Sequence, residues 1–465
     1  MIEEFLDFEN RLGLYDINYK GFFYWNYFRT ALFKDIEAFV NKNGEEFSST
    51  KIKIKSIAHI LKSLLFNPSY SNNMMNKNYD ILFLCHPRRV LIDGFYHSIY
   101  TDSFIDAFSN TLTVERPYLA SHYTPAYSSN IYYIDRFFYE RELKLRFRKN
   151  ESLMNDRQVR EIMYYVSREI NNIFDYHVDC DLLIKKINYF YNRYCISKDF
   201  FNTLLIKTKP KCIIEAVYYN FENMVINECS RELGIPIVEM QHGLTGRGHV
   251  AYNFATNKDI SILPNYFFAF SNYWIDTMRL PKCVKLESIG FDYYEKMLSS
   301  YPPKKSRNYI VFLSSGSIGY DLSKLALELL NKTKNFNIIY KLHPGEYETW
   351  KSRYPYLINT DIEVIDTPSV NLYDIFSHCI AQVSVYSTAL YEGFGYELKT
   401  FIMSNKNQNH VEDLINLNMC KVIKCADDII EELNIKTIRT ENISGYFWEK
   451  NARENFINSI NNIIK

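Results

Sequence analysis

Ile235-Pro-Ile-Val-Glu-Met-Gln-His-Gly243 is a short apolar run that ends in an amide, an imidazole and a glycine. Such a run predicts a buried strand with a loop at its carboxyl end. In open α/β sheets that edge is where ligands bind. A histidine there can meet a substrate, and glycine lets a backbone come close. The same strand-then-histidine form recurs far downstream in Tyr340-Lys-Leu-His-Pro-Gly345. Two such loops in two halves of one chain predict a cleft with a histidine on each wall.

The flanking sequence supports two alternating series. In the first half, Asp80-Ile-Leu-Phe-Leu-Cys85, Thr111 to Val114, Cys212-Ile-Ile-Glu215 and Tyr266-Phe-Phe-Ala-Phe270 read as strands, with helical segments at Gln158 to Phe174 and Asn220 to Leu233. The stretch 299–308 has linker composition. After it come strands at Tyr309-Ile-Val-Phe-Leu313, Asn337 to Leu342, Ile362 to Ile365, Ile380 to Val383 and Thr400 to Met403, with a helix at Leu322 to Lys332 and another opening at Thr388. Strand and helix alternation implies doubly wound sheets. The expected architecture is α/β and GT-B: a helical extension at 1–78, Rossmann-like domains at 79–298 and 308–440, and a C-terminal helix at 445–465.

Composition bounds the function. The chain has 465 residues, 47% of them hydrophobic, and its Lys+Arg and Asp+Glu counts are both 54. Zero net charge argues against an electrostatic nucleic-acid binder. The longest apolar runs are far short of the about 20 residues that cross a bilayer, and the first residues lack a signal-peptide pattern. The nine cysteines show no CxxC spacing, which favours reduced thiols in the cytosol. The basic and apolar segment 51–66 reads first as a helix packed on the domain and second as a peripheral contact with an anionic membrane face.

Three second-half loops carry phosphate-binding chemistry. Ser314-Ser-Gly-Ser-Ile-Gly319 follows a strand, and its small residues let backbone N–H groups approach phosphate oxygens. It lacks the Gly-Lys-Ser/Thr ending of an ATP-binding P-loop. His343-Pro-Gly-Glu346 offers an imidazole to a leaving phosphate, with Pro344 fixing the local φ. Ser387 or Thr388 opens a helix where hydroxyl and N–H groups face an anion, and also suits an ordinary N-cap. Glu392, a turn later, suits ribose hydroxyls.

In the first half, Gln241, His242, Gly243, Arg247 and His249, with Arg88, Arg89 and Asp93, are candidates for substrate contact. A general base must lie within hydrogen-bond reach of an acceptor hydroxyl; Asp93, Glu239, His242 and His249 all qualify by type, and Asp93 beside Gly94 also suits a turn. No HExxH, paired CxxC or DxD setting indicates a metal, and Asp179 and Asp181 beside Cys180 have no evident partners.

The set Gln241-His-Gly243, Lys341-Leu-His-Pro344 and Ser384-Val-Tyr-Ser-Thr388 with Glu392 resembles bacterial GT-B enzymes of surface-polysaccharide synthesis. That group includes capsule and O-antigen glycosyltransferases, polysialyltransferases and teichoic-acid glycerophosphotransferases. The resemblance covers about residues 80 to 440. It implies metal-independent transfer, inverting and without a protein nucleophile, from a nucleotide-activated donor to a growing glycan at the cytoplasmic membrane face. It also implies that His343 and Ser387-Thr388 contact the donor phosphate.

The expectation is therefore a glycosyltransferase without a cofactor, its nucleotide-sugar donor (CMP- or UDP-linked) held by Ser314, Ser315, Gly316, His343, Ser387, Thr388 and Glu392. Asp93 or His242 would deprotonate the acceptor. A CDP-polyol phosphotransferase, a nucleotide-sugar epimerase and a non-catalytic assembly protein are the alternatives.

Overall fold

The computed structural model describes residues 1–41, 72–86, 89–118, 121–147, 153–316, 318–404, 411–435 and 444–465. Arg88 and the basic segment 51–66 lie outside the described residues.

The chain forms two compact units. The first comprises 1–270, 274–290 and 453–465; the second comprises 271–273 and 291–452. The first unit holds strands β1 (Ile81–Leu84), β2 (Arg89–Ile92), β3 (Phe95–Ser98), β4 (Thr111–Glu115), β5 (Ile131–Tyr133), β6 (Cys212–Glu215), β7 (Ile237–Met240), β8 (Tyr266–Ala269) and β9 (Lys285–Ser288). Seven of them make a sheet in the order β5-β4-β1-β6-β7-β8-β9, parallel throughout. β1, β4, β6 and β7 are buried at every position, because a parallel sheet is covered on both faces; β1 reads as an unbroken apolar run, whereas β4 buries two threonines and a glutamate.

β2 and β3 form a separate antiparallel hairpin in which Ile92 pairs with Phe95. Its two turn residues, Asp93 and Gly94, both have positive φ, at 49° and 83°. That is the type I′ turn for which Asp-Gly is favoured.

Helices of this unit pack by apolar stripes. In Arg157–Phe174 the buried residues are Val159, Met163, Val166, Ile170 and Phe174, spaced three to four apart, and Asp156 caps the first turn by accepting from Val159 N. The next helix, Cys180–Thr208, starts at Asp179, whose carboxylate accepts from Asp181 N. Capping accounts for Asp179, and Arg160 pairs with Asp181 at 3.0 Å. Among the described residues no helix is long and apolar enough to cross a membrane.

The second unit holds β10 (Tyr309–Leu313), β11 (Asn337–Lys341), β12 (Glu363–Ile365), β13 (Cys379–Ser384), β14 (Lys399–Met403) and β15 (Lys421–Ile423). They form a parallel sheet in the order β12-β11-β10-β13-β14-β15. Its core is built on Ile310, Phe312, Tyr340, Ala381 and Phe401 from the strands and Leu322, Ala326 and Leu329 from the helix Gly319–Lys332.

The units divide at Gly290/Phe291, ahead of the linker-like stretch 299–308. That stretch belongs to the second unit because it is bonded there: Lys304 N donates to Ser377 O at 2.9 Å, and Arg307 Nη1 to Tyr396 O at 2.6 Å. The expected single C-terminal helix is two pieces, Ser444–Phe447 and Ala452–Ile463, separated where Asn451 takes a positive φ of 62°. The second piece returns to the first unit, where Phe456 is fully buried and stacks on Phe104 at 3.9 Å. Burying one such ring contributes about 3 kcal/mol.

Candidate functional site

Each sheet has a topological switch point. In the second unit the chain runs from β10 to β11 and β12 on one side, then returns to β13 on the other. The loops after β10, β11 and β13 thus gather at one carboxyl edge, where open α/β sheets bind ligands. They carry Ser314–Gly316, His343–Glu346 and Ser387-Thr388, so the topology brings the three predicted loops to one edge. Ser384 Oγ donates to Leu313 O at 2.8 Å and locks β13 to β10 just below it.

Glu346, which the sequence reading left without a role, joins two of these loops. Its carboxylate is buried at 1% exposure. Oε1 accepts from Tyr354 Oη at 2.6 Å and from Ser314 Oγ at 3.2 Å, and Oε2 accepts from His343 N at 3.0 Å. Arg353 Nη2 donates to Gly316 O at 2.6 Å and so holds the first loop from its other end. His343 is the N-cap of the short 3₁₀ turn Pro344–Glu346, with Pro344 at its first position and a reciprocal capping box. Gly345 N donates to His343 Nδ1 at 3.1 Å, and the ring is exposed. The 343-to-346 spacing of a capping box was the available signal for Glu346.

Ser387 caps the six-residue helix Thr388–Gly393, its Oγ accepting from Ala389 N at 3.2 Å. Glu392 is half-buried and its carboxylate takes the Tyr373 hydroxyl. Lys341, at the end of β11, was also missed. Burial pulls its ammonium down to about 8, and Nζ donates to Tyr347 Oη at 2.7 Å.

In the first unit the switch point lies between β1 and β6. His86 follows β1, Tyr219 follows β6 and His242 follows β7. The His86 and His242 rings lie 6.1 Å apart and nearly parallel. Tyr219 Oη is 3.2 Å from His242 Nε2 and 3.5 Å from His249 Nε2. Tyr252 Oη is 3.4 Å from His242 Nδ1, and Tyr100 Oη donates to His242 O at 2.8 Å. His242 and His249, both predicted, therefore share one cluster. Tyr100 and Tyr219 come from distant segments, Tyr252 from the same loop as His249, and no local pattern marked them.

Below the cluster, Glu215 and Glu239 are fully buried. Burial pushes the Glu215 carboxyl up to about 8, outweighing the hydrogen bonds from Asn227 and Asn223. Burial, then the neighbouring Glu215, raises Glu239 well above the carboxylate range. Glu239 thus lies beneath the site with its protonated form favoured. It holds the Tyr252 hydroxyl at 2.7 Å and Tyr218 N at 3.1 Å, which removes it as a direct base.

Other predicted residues stand elsewhere. Gln241 is buried; Oε1 accepts from Phe270 N at 2.8 Å, and Nε2 donates to Gly243 O at 2.9 Å. Its amide shapes the loop. Asp93 is exposed in the hairpin turn, where positive φ accounts for it, and no hydrogen bond among the described residues links it to the histidines. Arg247 is exposed. Arg89 is turned inward, pairing with Asp102 at 2.9 Å and with Glu115.

Two doubly wound parallel sheets, each with polar loops at the carboxyl edge of its central strands, make this an α/β chain of two Rossmann-like units, the composition of the GT-B class. No family model and no curated protein matches the chain. Among solved structures it is similar to UDP-GlcNAc 2-epimerase from Methanocaldococcus jannaschii, with 10% identity, 82% of this chain and 99% of that one covered, and a TM-score of 0.47. The Neisseria meningitidis UDP-GlcNAc 2-epimerase, bound to UDP-GlcNAc, shares 10% identity over 83% of this chain and 98% of that one, TM-score 0.44. MurG of Acinetobacter baumannii shares 13% identity over 59% and 78%, TM-score 0.39. Likeness at this level does not bear on activity.

Proposed function

We propose that this chain is a nucleotide-sugar transferase that adds a sugar to a bacterial surface glycan. The observation that carries the reading is the gathering of Ser314–Gly316, His343 and Ser387-Thr388 at the carboxyl edge of three adjacent parallel strands beside a switch point. Backbone N–H groups, hydroxyls and an exposed imidazole at such an edge suit a donor's phosphates. His343 offsets the charge that develops on the departing nucleotide phosphate. Glu392, engaged by Tyr373, stands near the ribose.

The acceptor belongs to the first unit. His242 takes its proton, a role it fits better than Asp93 because its ring sits at the switch-point edge among Tyr219, Tyr252 and His249. CMP-linked acidic sugars are the first donors to try, then UDP sugars. CDP-polyols test the phosphotransferase alternative.

The test incubates the purified chain with a panel of CMP-, UDP- and CDP-activated donors, with and without glycan acceptors, and analyses products by NMR and mass spectrometry. Acceptor-dependent transfer is the expected result, with a loss of about 100-fold or more in His343→Ala, as for removal of one transition-state donor. Conversion of the donor to an epimer without acceptor would replace transfer by epimerisation. Wild-type turnover by His343→Ala would remove His343 from the mechanism.

A further inference from the structure

The two loop histidines are surrounded by opposite hydrogen-bond chemistry. In a neutral imidazole one ring nitrogen donates and the other accepts, and the partner of one nitrogen decides the role of the other. At His343 the partner is a backbone donor: Gly345 N–H points at Nδ1 from 3.1 Å. Nδ1 must therefore carry the lone pair, and the proton sits on Nε2 of an exposed ring.

At His242 the order is reversed. Tyr252 has one hydroxyl proton, and Glu239 Oε1 takes it at 2.7 Å. That oxygen also accepts Tyr218 N–H at 3.1 Å, which marks it as an acceptor. The Tyr252 oxygen is then left to accept, and the donor facing it is His242 Nδ1 at 3.4 Å. Glu239 Oε1, 4.0 Å from the same nitrogen, favours the proton there too. Nε2 then carries the lone pair, and the Tyr219 hydroxyl donates to it from 3.2 Å.

We infer that the two histidines are held in opposite tautomers, His242 protonated on Nδ1 and His343 on Nε2, so that the first unit offers an unprotonated ring nitrogen to a hydroxyl and the second offers a ring N–H to an oxyanion. Tyr252 and Glu239 are positioning residues for His242, and Gly345 positions His343. The catalytic consequence, hydroxyl activation on one unit and phosphate binding on the other, rests on the proposed transfer; the tautomers do not.

The experiment uses the full chain labelled with [15N]histidine at pH 8, above the imidazole value of about 6.5. Long-range proton–nitrogen spectra report which ring nitrogen is protonated, and H242Q and H343Q assign the two rings. Opposite tautomers are expected; either ring in the other form overturns the inference. Tyr252→Phe should release His242 from the Nδ1–H form while the His343 signals stay in place, and an unchanged His242 overturns the role of Tyr252. Glu239→Gln, which keeps the acceptor oxygen, should preserve the His242 tautomer; its loss would overturn the positioning role of Glu239. Added inorganic pyrophosphate should shift the His343 Nε2 signal and leave His242 unmoved, and no shift at His343 overturns the oxyanion assignment. None of these readouts needs turnover. A chain with opposite tautomers that transfers no sugar would refute the transferase reading alone, and active chains with equal tautomers would refute this one alone.

Discussion

Glu215 and Glu239 are register partners at the ends of the neighbouring parallel strands β6 and β7, and both are fully buried. A carboxyl whose value rises on folding keeps its proton in the native state while the unfolded chain ionises. For Glu215 the unfolded chain loses its proton near 4.3, and the native chain keeps it to about 8. Its contribution to stability is therefore fully present below the unfolded value and is lost as pH rises through that window. Glu215→Gln, which still accepts from Asn227 Nδ2, should show a flatter profile, gaining a few kcal/mol on the parent between pH 5 and pH 8. Urea unfolding at both pH values measures it; parallel profiles would refute the account.

His122 gives the opposite sign. Burial pulls its value down, but hydrogen bonds to Asp135 and Glu115, at 2.8 and 2.7 Å, raise it to about 9. The imidazolium's contribution is present below about 6.5 and lost as pH rises through 9. An NMR titration of the ring should have its midpoint near 9. His122→Phe, which takes the imidazole from buried Asp135 and leaves Glu115 with Arg89, should cost about 3 kcal/mol at pH 7. A midpoint below 7 would sink the prediction.

Glu346→Ala strands three donors, the Ser314 and Tyr354 hydroxyls and His343 N–H, and should destabilise the chain by about 2–4 kcal/mol. Gly319→Ala attacks the same group from the other side, because a Cβ there would collide with the Tyr354 hydroxyl and the Glu346 carboxylate. It should cost about 1–3 kcal/mol. Both variants should weaken nucleotide binding measured by calorimetry; unchanged binding in both would detach Glu346 from the site.

Phe456→Ala should destabilise the first unit by about 3–5 kcal/mol through the cavity left against Phe104 and Phe268. Hydrogen exchange should show the loss in β1 and β8 ahead of the strands of the second unit. Equal loss in both units would contradict the assignment of this helix to the first.

The central strands were legible because burial on both faces writes an unbroken apolar run. β10, at Tyr309–Leu313, has the predicted bounds. β5, β9 and β15 were missed, each at the edge of its sheet, whereas the edge strand β12 was legible at Ile362 to Ile365. β9 has no fully buried position. Edge strands carry only part of the burial, so their pattern is weak. The hairpin was hidden for another reason: Asp93-Gly94 is turn chemistry, and the same aspartate also suits a general base. At the site, the histidine and serine loops were readable because they follow apolar runs. Tyr219 and Tyr252 were not, because their roles arise from partners that the fold brings to them, while the one signal for Glu346 was its capping-box spacing from His343. The inward hydrogen bonds of Gln241 were not legible, because an amide next to a histidine looks the same in sequence whether it faces in or out.

Arg453–Lys465 completes a unit whose other segments precede Gly290, apart from the excursion at Ser271–Tyr273. The order of synthesis then matters. A ribosome will have made the whole second unit before it supplies Phe456, so the second sheet has all of its strands while the first still lacks the helix that covers Phe104 and Phe268. A nascent chain stalled just before Arg453 should carry a closed second unit beside an unfinished first one, with an apolar face exposed to chaperones for that interval.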